Sequence, residues 1–203
     1  VFRHCNGDRV FWIMKYDTIL QRTGLDLELS QDERLYDAQS VTADFLTEHI
    51  DSAFTVWQQN WNKQYSFEMF CRYVLPYRIG NEKTSLWRKT FTVPSWVREA
   101  YAPNQDNSTY AYGMANDILG GMRSVIYYPP QFLPDLPLTA LEHVKSASCK
   151  EYAHLCVAVL RAHGLPATID FTPQWGNRGL GHEWCVFFSD NHSFIPFNPG
   201  ERL

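Results

Sequence analysis

Between Ser148 and Pro166 the chain spells out a helix with both ends marked, and this stretch limits the fold more than any other. Ser148 and Glu151 have the S-x-x-E spacing in which each residue caps the other's backbone N–H. Ala153, Cys156, Val157 and Leu160 recur on one face, as an amphipathic helix requires. Gly164 followed by Pro166 supplies the stop. Three strand-like runs come next: "ATIDFTP", then "HEWCVFF" and "SFIPFNP". A polar, Gly-containing stretch, "QWGNRGLG", separates the first two, and the tight-turn sequence "SDNH" joins the last two as an antiparallel hairpin. A helix packed on such a sheet is an α+β arrangement.

Upstream the texture changes. Residues 1–138 read as a helical, loop-rich N-terminal region and 139–203 as a separate core, cut short at its C-terminus. "SQDERLYD" carries a capping box in Ser30 and Glu33. Val41, Phe45, Ile50, Phe54, Trp57 and Trp61 step along a second amphipathic helix, and "SFEMFCRYVL" along a third, stopped by Pro76. "YRIGNEKTSLWRK" (77–89) reads as an ordered loop and "MANDILGGMRS" (114–124) as a helix cut at Gly120-Gly121. "YYPPQFLPDLPL" holds four prolines in twelve residues and must run extended.

Composition excludes some roles. A net charge of −4 gives no basic footprint for nucleic acid, and no apolar run is long enough to span a membrane. Five cysteines at irregular spacing leave at least one thiol free and do not form a disulfide framework. The chain opens "VFRHCNGD" without Met or signal peptide, so it reads as a mature or trimmed piece, and further domains are expected beyond "GERL".

With Ser148 as cap, Cys149 is the first helical residue. Its sulfur sits by unpaired backbone N–H groups, at the positive end of the helix dipole, where a thiolate is stabilised. Such a thiolate becomes a nucleophile when a histidine serves it as acid and base and a third group orients that histidine. His182 opens the second strand and Asn198 closes the third, so the hairpin brings them to one edge. Each alone has a plainer reading: packing for Cys149, a loop bridge for His182, a turn former for Asn198. The three together carry the signal.

The segment "SCKEYAHLCVAVLRAHGLPATIDF…GHEWCVFF…FIPFNPG" resembles the core of the transglutaminase-like superfamily of papain-like thiol enzymes. The resemblance implies Cys149 as nucleophile, His182 as its histidine partner and Asn198 as the orienting residue, where most members carry Asp. A neutral Asn can still hold an imidazole, as in Cys-His-Asn proteases. The implied chemistry is acyl transfer on peptide or carboxamide bonds through a thioester, as thiol protease, amidase or transglutaminase. It needs no metal and no other cofactor. Trp175, Tyr77 and Trp184 are candidates for substrate or oxyanion contacts. "LPYRIGNEKTSLWR" resembles a helical extension of bacterial, particularly Bacteroidetes, members, implying a secreted, periplasmic or cell-surface protein. A protein, peptide or glycopeptide substrate and a monomeric state are expected.

The competing reading is a non-catalytic module on the same fold, holding glycan or peptide through Trp57, Trp61, Trp96 and Trp175. A zinc site from Cys149, His154, Cys156 and His182 lacks the paired ligand spacing such sites use. Arg78, Glu82 and Arg88 read as a salt-bridge network stapling a loop rather than as substrate ligands.

Overall fold

The computed structural model describes residues 36–59, 64–82, 84–91, 113, 115–116, 126–127, 137–139, 141, 146–174, 176 and 181–198. The expected helix start at Ser30, most of the helix at 114–124, the proline-rich crossing, Trp61, Trp96 and Trp175 lie outside the described residues.

Among the described residues four helices come first: α1 (Asp37–Ser40), α2 (Ala43–Trp57), α3 (Phe67–Tyr73) and α4 (Trp87–Thr90). Thr42 and Ser66 cap α2 and α3 by accepting the backbone N–H groups of Phe45 and Met69. Within the stretch expected as a loop, 77–82 and 84–86 have no regular structure and lead into the single turn of α4. Two short strands, β1 (Ile126–Tyr127) and β2 (Ser146–Ala147), pair in parallel. They were not anticipated, because two residues are too few for an alternating pattern to register.

The central helix α5 (Cys149–Ala162) carries the full capping box. Ser148 accepts the Glu151 N–H at 3.2 Å while the Glu151 carboxylate accepts the Ser148 N–H at 2.9 Å. At its other end Gly164, at φ 81°, takes the left-handed position. The Leu165 N–H reaches the Leu160 carbonyl at 2.9 Å, and the Gly164 N–H reaches that of Arg161 at 3.0 Å. This is the paired carbonyl capping in which glycine is favoured.

A three-stranded antiparallel sheet follows, in the order β3 (Ala167–Thr172), β4 (His182–Phe188), β5 (Phe194–Phe197). Asp190 closes the β4–β5 hairpin by accepting the N–H groups of His192 and Ser193, each at 2.7 Å. The α+β class expected from the sequence is the one observed.

One apolar cluster joins α5 and the sheet to the upstream region: Leu155, Cys156, Leu160, Cys185 and Phe187 share it with Tyr65, Met69 and Trp87. A smaller cluster, Ala53, Phe70 and Val74, seats α2 on α3. Residues 151–162 of α5 are all buried, so the helix is covered on every side and not only on its apolar face. No helix among the described residues is long and apolar enough to cross a membrane.

Candidate functional site

Contacts along α5 fix how β4 lies against it. Glu183 meets His154, the Cys185 thiol donates to the Ala153 carbonyl at 3.3 Å, and the Phe188 N–H reaches Pro166 beyond the helix end. Strand and helix therefore advance in the same direction. The His182 end of β4 lies beside the N-terminal half of α5, which Cys149 opens.

Cys149 is a half-buried free thiol at the first position of α5, directly after the Ser148 cap. His182 Nε2 donates to Asn198 Oδ1 at 3.0 Å, so the hairpin brings the ends of β4 and β5 together. The imidazole also lies 5.9 Å from the Trp184 ring, centroid to centroid. Alternation along β4 puts His182 and Trp184 on one face and Glu183 and Cys185 on the other. The second pair faces α5.

The other candidates are placed differently. The Tyr77 hydroxyl donates to Asp37 Oδ2 at 2.7 Å, and its ring packs edge-on to Phe45. Its neighbour Arg78 gives its carbonyl to Arg161, twelve residues along α5 from Cys149 and so about 18 Å at 1.5 Å per residue. Tyr77 is thus held against α1 and α2. Trp57 packs against Phe67 and Phe70 between α2 and α3.

Two buried polar clusters flank the helix. At its C-terminal end the Arg88 guanidinium donates to the carbonyls of Arg161 at 3.1 Å, Pro76 at 3.1 Å, Leu75 at 3.3 Å and Val74, and it also lies over the Trp87 ring. It thus serves carbonyls at the ends of both α3 and α5, where helices leave acceptors unpaired. Arg161 donates from Nε to the Ala167 carbonyl at 2.9 Å. Burial lowers Arg88 to about 9, with repulsion from Arg161 adding to it, and burial lowers Arg161 to about 10. Both remain charged at neutral pH. Of the expected loop-stapling salt bridges, Arg78 pairs with Asp37, whereas Arg88 binds carbonyl oxygens.

The second cluster gave no local signal in the sequence. His154, buried on α5, donates from Nε2 to Glu183 Oε2 at 3.1 Å and holds Nδ1 3.6 Å from Glu82 Oε2. Glu82 also accepts the N–H groups of Ile79 at 2.9 Å and Gly80 at 2.8 Å. Burial alone would raise the Glu82 carboxyl. The His154 ring 3.6 Å away and the hydrogen bonds from the Ile79 and Gly80 N–H groups outweigh it and hold the group at about 2. The partners lie 72 residues apart in one case and 29 in the other, so no window of sequence contains them. Among the described residues no group of His, Cys, Asp or Glu is arranged to hold a metal ion.

A chain with a capped, cysteine-opened helix packed on an antiparallel sheet is of the papain-like architectural class. The sequence model of the transglutaminase-like superfamily matches residues 94–199, about half of the chain, and the protein belongs to that superfamily. No curated protein and no solved structure matches it.

Proposed function

We propose that this protein is a cysteine-dependent acyl-transfer enzyme acting on peptide or carboxamide bonds, with Cys149 as nucleophile, His182 as acid and base, and Asn198 as the orienting residue. The observation that carries this reading is the 3.0 Å hydrogen bond from His182 to Asn198 in a superfamily member whose cysteine opens α5.

The Cys149 thiolate attacks the carbonyl carbon, and negative charge collects on the carbonyl oxygen. The Cys149 backbone N–H, among the first donors of the helix, is our candidate to meet that charge. The C–N bond breaks as the His182 imidazolium gives its proton to the leaving amine, which leaves a thioester on Cys149. His182 then takes a proton from water, the resulting nucleophile attacks the thioester, and the thiolate returns. An amine in place of water would make the same cycle a transamidation. Hydrolysis, as proteolysis or deamidation, is the reading we favour. With Nε2 donated to Asn198, Nδ1 is the nitrogen that exchanges the proton with sulfur.

The test is turnover across panels of peptides and carboxamides, together with mass spectrometry of the protein after rapid quenching. The expected result is a substrate whose acyl group appears on Cys149, and loss of both turnover and adduct in Cys149→Ala. Binding of peptide or glycan without any turnover or adduct would favour the non-catalytic module instead.

A further inference from the structure

His182 and Glu183 are consecutive, and their side chains leave opposite faces of β4. Asn198 holds the first from one side and His154 holds the second from the other. The opening of the strand is therefore pinned from both faces at adjacent residues. Behind His154 stands the upstream loop. Glu82, fixed by the N–H groups of Ile79 and Gly80, faces the Nδ1 side of the ring, and Gly80 presses directly on the ring itself. A methyl group at position 80 would fall well inside contact distance of His154 Cε1, so only glycine lets the loop come this close.

This arrangement is costly if it does nothing. A histidine and a carboxylate, 5% and 4% exposed, are both removed from water and must find polar partners inside the fold. The partners span three separate parts of the chain: loop 78–82, helix α5 and strand β4. Apolar side chains could join these parts without any requirement for direction. Hydrogen-bonded groups fix direction as well as distance.

We propose that His154, braced by Glu82 and Gly80, is a positioning residue that acts through Glu183 to hold His182 at the angle its proton transfer requires. The upstream loop 78–82 is thereby part of the working enzyme and not a separate cover over it. The inference rests on the reading of Cys149 and His182 given above, and its test can fail separately from that reading.

The experiment measures iodoacetamide alkylation of each cysteine against pH in the full chain, mapped by mass spectrometry, with His182→Ala as reference. Glu183 is the decisive position, because its side chain is 28% exposed and its truncation removes the hydrogen bond to His154 without opening a hole in the apolar core. In Glu183→Ala, Cys149 should alkylate about threefold or more slowly near pH 6, moving toward the His182→Ala profile. Glu183→Gln, which keeps an acceptor for His154, should restore most of the rate. Gly80→Ala should move the profile in the same direction from the other side of the ring. Buried Cys156 and Cys185 report on folding, and a Gly80 variant that exposes them is set aside so that Glu183 decides alone.

Dependence of Cys149 on His182 but not on Glu183 would overturn the positioning role and leave the catalytic reading standing. Indifference of Cys149 to His182 itself would overturn both.

Discussion

The two ends of α5 are built to opposite purposes. At the C-terminal end the Gly164 cap and Arg88 satisfy the last carbonyls, Arg161 ties the helix to Ala167 and Arg78, and everything there is buried. At the N-terminal end Ser148, Cys149 and Lys150 escape full burial, and the capping box of Ser148 and Glu151 fixes the first turn while leaving the thiol half-exposed. One end is sealed, and its polar groups act for stability. The other is rigid but open, as a site that must admit a substrate requires. The same need, satisfying the backbone groups of a helix end, is met where water is excluded by a glycine turn and one long guanidinium side chain. A short serine and a glutamate meet it where access is kept.

If that division is right, changes at the open end should alter chemistry with little loss of stability, and changes at the sealed end the reverse. The largest effect belongs to Cys149→Ala, which should lower turnover by at least ~10³-fold. Its denaturant midpoint should stay close to that of the unmutated chain, and a large loss of stability there would break the division.

Next comes Arg88→Met at the sealed end. Four carbonyls lose the guanidinium, only that of Arg161 keeping a second donor in the Gly164 N–H, and unfolding in urea should show a loss of about 3 kcal/mol or more. Near-unchanged stability would show that water replaces the guanidinium and that this end is not sealed.

The middle of the helix supplies a pH dependence. The folded state holds the Glu82 carboxyl at about 2, against 4.5 for the ordinary group, so on acidification the unfolded chain takes up this proton first. The contribution is complete above about pH 4.5 and is lost as the pH falls toward about 2, on the order of 3 kcal/mol in all. Acid unfolding followed by circular dichroism should be shallower in Glu82→Gln over that interval, and identical acid limbs would contradict the stabilisation of this carboxylate by His154 and the loop N–H groups.

The smallest pair sharpens the contrast. Ser148→Ala and Gly164→Ala should each cost about 1 kcal/mol, the first by losing a side-chain cap and the second by forcing a Cβ into left-handed backbone. Only the first should change the alkylation rate of Cys149.

Much of this was legible in the sequence, and for a physical reason. The marks of α5 are local: Ser148 and Glu151 lie three residues apart, and Gly164 and Pro166 stand at the end. The hairpin is equally local, because Asp190 closes it within four residues, and closing it joins His182 to Asn198. What stayed hidden was set by contacts between distant segments. Nothing near His154 announces Glu82 or Glu183. The carbonyls bound by Arg88 are backbone groups that every residue carries, so no residue pattern encodes them. The strand pair β1–β2 was missed for shortness alone.

The most direct test of the central claim compares two cysteines of similar exposure. Cys149 and Cys71 are both half-buried free thiols, but only Cys149 opens a helix beside the strand of His182. Their iodoacetamide alkylation rates should be followed over about pH 5 to 9, with an ordinary thiol midpoint near 8.5 as the reference. The account predicts that near pH 6 Cys149 reacts at least ~10-fold faster than Cys71, and that His182→Ala removes the difference. Equal rates for the two thiols, unmoved by His182→Ala, would contradict it.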